Sequence, residues 1–272
     1  MRIFSPVLLR LLFYTGIQQD ISNFHMENVL HREMSDKISH EFEVKKAIFK
    51  DSKLPHWDYY GERGPENWER DFPVCGLGDK QSPLNIVGPF ENSKDILAVT
   101  YKKGPLRILN NGHTIEVNVD PGNTLSVNNE VYNLLQFHFH RPSEEQLNGK
   151  SMAMVAHFVH KNTEGKLVVL GVLFNEGKTN EAVKTIFENA PKSEGIEVVF
   201  HEIEFNPSVL IPAALNHYSY EGSLTTPPCT EGINFYIFKT VMNIEESQLA
   251  DFPFQHNARP VQPLNGRKIS TH

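Results

Sequence analysis

From Lys53-Leu54-Pro55 onward, apolar and polar residues alternate in short runs separated by Gly, Pro and Asn. Successive side chains of a strand point to opposite faces, so a period of two marks a half-buried strand. The runs predict strands over 107–109, 114–119, 124–127, 134–140, 152–160, 167–174 and 235–241. Between them lie turn sequences such as Asn110-Asn111-Gly112 and Asp120-Pro121-Gly122, whose residues suit tight reversals. Only 181–189 and 244–252 read as helices in this region. The first fifty residues differ. From Asn23 to Lys50 there is no Gly or Pro, and Leu30, Met34 and Ile38 recur every four residues, joined by Val44, Ala47 and Ile48. That spacing predicts a helix, compatible with packing on the domain, pairing with a second copy as a homodimer, or standing free in solution. The chain therefore divides into an N-terminal extension, residues 1–52, and a β-dominated domain, residues 53–272.

Composition narrows the partners. The formal charge of -7 comes with no basic cluster, which argues against a nucleic-acid surface. Short pairs such as Lys45-Lys46 and Lys102-Lys103 read as solvated faces. The apolar run over 4–14, after Arg2, faintly resembles an export signal. Arg10 interrupts it, and no alanine precedes Ala47, so an A-x-A cleavage site is missing. The run is too short to span a bilayer, and no stable membrane span is expected elsewhere. Two cysteines, Cys75 and Cys229, fit either two buried thiols or one long-range disulfide; their number does not decide.

Candidate chemistry sits in Gln136-Phe137-His138-Phe139-His140. On a strand both imidazoles share one face, with the phenylalanines on the other. A second strand, Val155-Ala156-His157-Phe158-Val159-His160, follows a polar loop. If the two pair antiparallel, His157 joins His138 and His140 on one face, and His160 falls on the opposite one. Three neutral imidazoles around Zn²⁺ leave a fourth tetrahedral position for water, the arrangement of a catalytic site. Taken singly, each histidine would more often be an ordinary structural residue.

The residues also resemble the α-carbonic anhydrases, from His56 to about Arg267. The resemblance rests on His56-Trp57-Asp58-Tyr59, Gly64-Pro65-Glu66-Asn67-Trp68, Gln81-Ser82-Pro83, Asn110-Asn111-Gly112-His113 and the two histidine strands. Further on come Gly222-Ser223-Leu224-Thr225-Thr226-Pro227-Pro228 and Arg259-Pro260-Val261-Gln262-Pro263-Leu264. It implies a mainly β (α+β) fold: a large, twisted, mostly antiparallel central sheet with short peripheral helices. It implies Zn²⁺ on His138, His140 and His157, and reversible hydration of carbon dioxide to bicarbonate by zinc-bound hydroxide. Thr225 would accept a hydrogen bond from the hydroxide and pass its own proton toward Glu144. Val159, Val169, Leu224 and Ile233 align with the family's hydrophobic wall, and Thr226 joins them as substrate-binding. His113 occupies the proton-shuttle position, with Tyr59 and Asn111 ordering the water between; a nearby Glu116 would raise its pKa if both lay on one strand face. The cysteines align with a pair bridged in many bacterial and extracellular members, which implies a periplasmic or extracellular protein despite the atypical signal. A non-catalytic relative would lack a zinc histidine, whereas this chain keeps all three. An esterase would need a larger acyl pocket, for which nothing in the sequence speaks.

One part departs from the family pattern. Metal-binding histidines usually donate their second ring N–H to an oriented acceptor. Gln136 is expected to serve His138, and the Asn257 carbonyl His140. For His157 the family supplies a glutamate two residues earlier, where this chain has Val155, and the residue after Glu144, usually a histidine, is Glu145. Either Glu145 reaches above Val155 to accept the His157 N–H, directly or through Tyr220 or a water, or it points to solvent.

Overall fold

In the computed structural model, residues 55–272 are described, and Trp57–His272 form one unit. The helix expected over 23–50 and the export-like run lie outside the described residues. In chain order the strands are β1 (Asn85–Ile86), β2 (Glu91–Asn92), β3 (Leu97–Thr100), β4 (Gly104–Asn110), β5 (Ile115–Asn118), β6 (Thr124–Val127), β7 (Glu130–His140) and β8 (Gln146–Leu147). They continue as β9 (Lys150–Ser151), β10 (Met154–Lys161), β11 (Leu167–Glu176), β12 (Glu197–Phe205), β13 (His217–Ser223), β14 (Glu231–Phe238), β15 (Met242–Ile244) and β16 (Ser270–Thr271). Among the described residues, three short α-helices flank them: α1 (Val74–Leu77), α2 (Glu181–Glu188) and α3 (Glu246–Asp251).

Thirteen of these strands form one sheet, with the path β12-β4-β5-β7-β10-β11-β14-β13-β16-β2. Pairing is antiparallel except where β14 and β15 join β11 and where β16 joins β2. The fold is the mainly β architecture expected. Among the described residues no helix is long and apolar enough to cross a membrane.

Period-two alternation sorts the central strands into two apolar layers. Phe137, Phe139, Ala156, Phe158 and Leu170 enter the larger one, with α2 and α3 packed on it through Val183, Ile186, Phe187 and Leu249. Val155, Val169, Ile233, Phe235 and Ile237 form the second, on the other face. Each buried aliphatic or aromatic side chain contributes roughly 1.5–3 kcal/mol, so both layers anchor the strands between them. The histidines emerge on the second face.

Several boundaries differ from expectation. The strand expected over 235–241 starts at Glu231 and ends at Phe238. The chain then turns, and β15 takes Ile244 from the expected helix over 244–252, which starts at Glu246 under a capping box made by Glu245 and Gln248. Strand β10 begins at Met154 rather than residue 152, because Met152 pairs with Ser143 at the loop before it.

Candidate metal centre

Strands β7 and β10 pair antiparallel with His157 opposite His138 and Val155 opposite His140. This register sets the three imidazoles in one patch, with ring centroids 4.9 Å (His138–His140), 5.0 Å (His140–His157) and 5.8 Å (His138–His157) apart. One ring nitrogen from each lies within 4.8 Å of the other two. On the far side of β10, His157 faces Gly171 of β11. A Cβ at Gly171 would meet Ile237 Cδ1 at 2.4 Å, so glycine makes room for Ile237, while the His157 ring lies at ordinary contact distance.

The remaining ring nitrogens are engaged. His138 Nδ1 lies 2.8 Å from Gln136 Oε1, and His140 Nδ1 lies 2.8 Å from the Asn257 carbonyl. A carbonyl oxygen only accepts, so Nδ1 carries the hydrogen in both rings and Nε2 keeps a bare lone pair. Buried His140 Nε2 has no hydrogen-bond partner. For His157 the polarity is reversed: Nε2 lies 3.1 Å from both oxygens of Glu145, leaving Nδ1 toward the cluster. Burial and the neighbouring His157 hold His138 neutral, pushing its pKa down to about 3. Burial and both other histidines lower His140 likewise. Burial alone would lower His157 too, but the charge and hydrogen bond of Glu145, with Glu144, outweigh it and raise its pKa. Three nitrogen lone pairs converge, and a divalent metal of the zinc type fits there, taking on His157 the place of the proton that the two carboxylates favour.

Beside the cluster sits Glu144, which is buried. Its Oε1 accepts the Arg259 backbone N–H at 2.8 Å, while Oε2, without a hydrogen-bond partner, lies 3.5 Å from His140 Nε2 and 3.7 Å from His157 Nδ1. Burial lifts its pKa to about 7; Glu145 adds to the rise, and the Arg259 N–H and the Thr225 hydroxyl oppose it. Thr225 is buried in the loop after β13. That loop is closed by Leu224 N–H on the Thr230 carbonyl (2.9 Å) and Cys229 N–H on the carbonyl of half-buried Thr226 (2.9 Å). Cys229 is bridged to Cys75, across 154 residues of sequence. Such a bond fits a secreted or periplasmic protein.

The expected apolar wall lies on the second face. Val159 pairs directly with Val169 across β10 and β11, Ile233 is buried, and Leu224 packs against the same layer. His113 lies in the turn between β4 and β5, half-buried, its ring stacked on Trp57 at 3.8 Å and 11° and edge-on to Tyr59 at 6.4 Å. Asn111 Oδ1 accepts the N–H groups of His113 (3.0 Å) and Thr114 (2.9 Å), which fixes the turn. The shared strand face expected for His113 and Glu116 does not form: three residues apart, they would fall on opposite faces of a strand, and β5 starts only at Ile115. Glu116 instead lies 3.4 Å from Asn111 Nδ2.

Two residues, Trp57 and Arg259, had no role in the sequence reading, and a third, Asn257, was expected only to give its carbonyl to His140. Trp57 carries the His113 ring. Arg259 supplies the N–H to Glu144 and buries its guanidinium on Gln81 Oε1 (2.9 Å) and the carbonyls of Ser82 (2.8 Å) and Cys75 (2.7 Å). The Asn257 side chain bonds the carbonyls of His113 (3.0 Å) and Phe139 (2.9 Å), so one residue ties the turn to the His140 strand. The family resemblance pointed to the Asn257 carbonyl on His140, which the structure bears out; nothing in the loop sequence marks the side-chain contacts of Asn257 or Arg259.

A large, mostly antiparallel sheet carries three convergent imidazoles with a carboxylate beside them, a cluster of the kind that can hold a metal ion. The model of the eukaryotic-type carbonic anhydrase family matches residues 63–272. Carbonic anhydrases of Pectobacterium carotovorum and Neisseria gonorrhoeae are 41% and 42% identical over 221 residues, covering 79% of this chain and 90% and 87% of theirs. The solved α-carbonic anhydrase of Thermovibrio ammonificans, in complex with the inhibitor sulfanilamide, is 37% identical with a TM-score of 0.76, over 79% of this chain and 98% of that one. The chain belongs to the eukaryotic-type, or α, carbonic anhydrase family, and it is an enzyme of that kind.

Proposed function

We propose that the chain binds Zn²⁺ through His138, His140 and His157 and reversibly hydrates carbon dioxide to bicarbonate and a proton. The observation that carries this is the set of three imidazoles, each with one nitrogen engaged and the other turned to a common point. Zinc held there supplies hydroxide at neutral pH, because it lowers the pKa of water to about 7, for which carbonic anhydrases are themselves the standard example. Thr225, giving its hydroxyl hydrogen to Glu144, turns an oxygen lone pair outward and so selects an O–H donor in one orientation. Val159, Val169, Leu224 and Ile233 offer an apolar wall suited to a small uncharged molecule, and Thr226 is assigned to the substrate with them. His113 takes the product proton toward solvent, with Tyr59 and Asn111 beside its path; an imidazole titrates in the right range for that task. The disulfide supports work in the periplasm or outside the cell.

Zinc content and hydration rate, measured together with and without chelator, test this reading. Replacing His138, His140 or His157 by Ala should abolish both, and sulfanilamide should bind only the zinc-loaded protein. Full zinc occupancy in His157→Ala would remove that residue from the site.

A further inference from the structure

Val155, two residues before His157 on the same face of β10, is fully buried and aliphatic. The strand therefore offers its own histidine no acceptor. The carboxylate that meets the ring comes from outside the strand. Glu145 has no exposed surface, both its oxygens lie 3.1 Å from His157 Nε2, and the Tyr220 hydroxyl donates to Oε1 at 3.3 Å. Tyr220 is buried and stacked on Phe235 at 5.1 Å, whose ring stands edge-on to His157 at 5.9 Å. Among the described residues, the imidazole and Glu145 form an ion pair. A buried carboxylate is stable only against a cationic or strongly polarised donor. An imidazole whose other nitrogen is bound to a divalent cation is such a donor.

We infer that Glu145 positions His157 for metal binding, supplying from the loop the acceptor that β10 lacks. The inference rests on the reading of His157 as a zinc ligand. The loop is built to hold the carboxylate there. Ser143 Oγ donates to the Glu145 carbonyl at 2.7 Å and accepts the Met152 N–H at 2.7 Å, while Ser143 N–H bonds the Met152 carbonyl at 3.0 Å. Consecutive residues thus bracket one ring. Glu144 faces the Nδ1 side at 3.7 Å and Glu145 the Nε2 side at 3.1 Å. A single short segment sets both the carboxylate that engages Thr225 and the one that fixes the third ligand and its tautomer. Outer partners of this kind tune metal affinity by orienting the ring and raising its basicity.

The test uses the full-length zinc enzyme and competition with dipicolinate for zinc. Glu145→Gln should weaken zinc affinity by about 10–100-fold and speed zinc release. Adding Val155→Glu to Glu145→Gln returns a carboxylate from the strand side and should recover most of that loss. Val155→Glu alone crowds two carboxylates and should not tighten binding. Urea midpoints of the zinc-free proteins separate positioning from packing: a midpoint loss with unchanged zinc affinity in Glu145→Gln overturns the inference. So does a folded double variant that recovers nothing. Nitrogen NMR of the wild-type zinc protein needs no variant. The His157 Nε2–H should be downfield and slow to exchange, and a freely exchanging one refutes the assignment. A wild type that takes up no zinc overturns the ligand reading together with this one, whereas normal zinc binding with unchanged affinity in Glu145→Gln overturns this one alone.

Discussion

Replacing Cys75 and Cys229 together by Ala opens a covalent loop spanning 154 residues. In the chain-entropy treatment a loop of that length restricts the unfolded chain by about 17 cal/mol/K, or about 5 kcal/mol at 25 °C. The folded side changes less. Both cysteines are buried against Trp68 and Phe72, so the truncation removes two sulfur atoms from a packed cluster. The backbone around them stays tied, through Arg259 Nη2 to the Cys75 carbonyl (2.7 Å) and Gln81 Nε2 to the Cys229 carbonyl (3.1 Å). Equilibrium urea unfolding of the full chain, followed by tryptophan fluorescence and far-UV circular dichroism, should show stability lowered by up to about 5 kcal/mol. The denaturant slope should rise, because the unlinked chain exposes more surface when it unfolds. Hydration activity per folded molecule should stay within a few fold, since the loop bearing Thr225 keeps its own backbone hydrogen bonds. A stability difference below about 1 kcal/mol with an unchanged slope would refute the loop-closure account.

Two further outcomes follow from titratable groups. His160 is fully buried, with its Nε2 2.7 Å from the Tyr101 hydroxyl, and burial pushes its pKa down to about 4 from 6.5. The unfolded chain therefore binds the extra proton first, so stability is complete above pH 6.5, falls as pH drops toward 4 and levels off below. The loss is about 3 kcal/mol, and His160→Gln should remove that component; a wild-type-to-variant gap that stays constant between pH 7 and 4 refutes it. For proton release, His113→Ala should slow steady-state hydration in weak buffer by up to about 100-fold, and added imidazole should restore part of the rate. Activity indifferent to His113 in every buffer would mean that the proton leaves by another route.

The site was more legible than its supports. His138, His140 and His157 could be placed together because strand periodicity fixes faces without knowledge of the rest of the sheet. Strand β12 escaped because it is an edge: Val198, Val199 and Phe200 run consecutively, a register shift follows, and His201 and Glu202 are exposed. Strand β13 escaped for the opposite reason. Its Gly222 reads as a break, yet a Cβ there would lie 2.0 Å from Ser82 Oγ, so glycine serves close packing inside a strand. Asn257 and Arg259 act largely through backbone groups and long-range bonds. No local pattern encodes those: the Asn257 carbonyl on His140 was legible only through the family resemblance, and the Arg259 N–H on Glu144 only in the folded chain.

The distribution of charge around the three imidazoles is itself an argument about what they were built to meet. Gln136 and the Asn257 carbonyl are neutral acceptors, and they serve the two histidines of one strand. Glu145 is the charged one, and it stands next in sequence to a second buried carboxylate, Glu144. Two buried acids flanking one imidazole repel each other, and that repulsion adds to burial in lifting Glu144 to about 7. The guanidinium of Arg259 attracts Glu144 only at a distance; its hydrogen bonds go to Gln81, Ser82 and Cys75, and only its backbone N–H bonds Glu144. A divalent cation on the imidazole nitrogens reverses the balance, because each carboxylate then faces net positive charge across a short, dry distance. A proton on His157 answers part of that repulsion, as its raised pKa shows. A divalent cation answers it with more charge at the same place, so it is the pair of acids, rather than any one histidine, that favours a metal there.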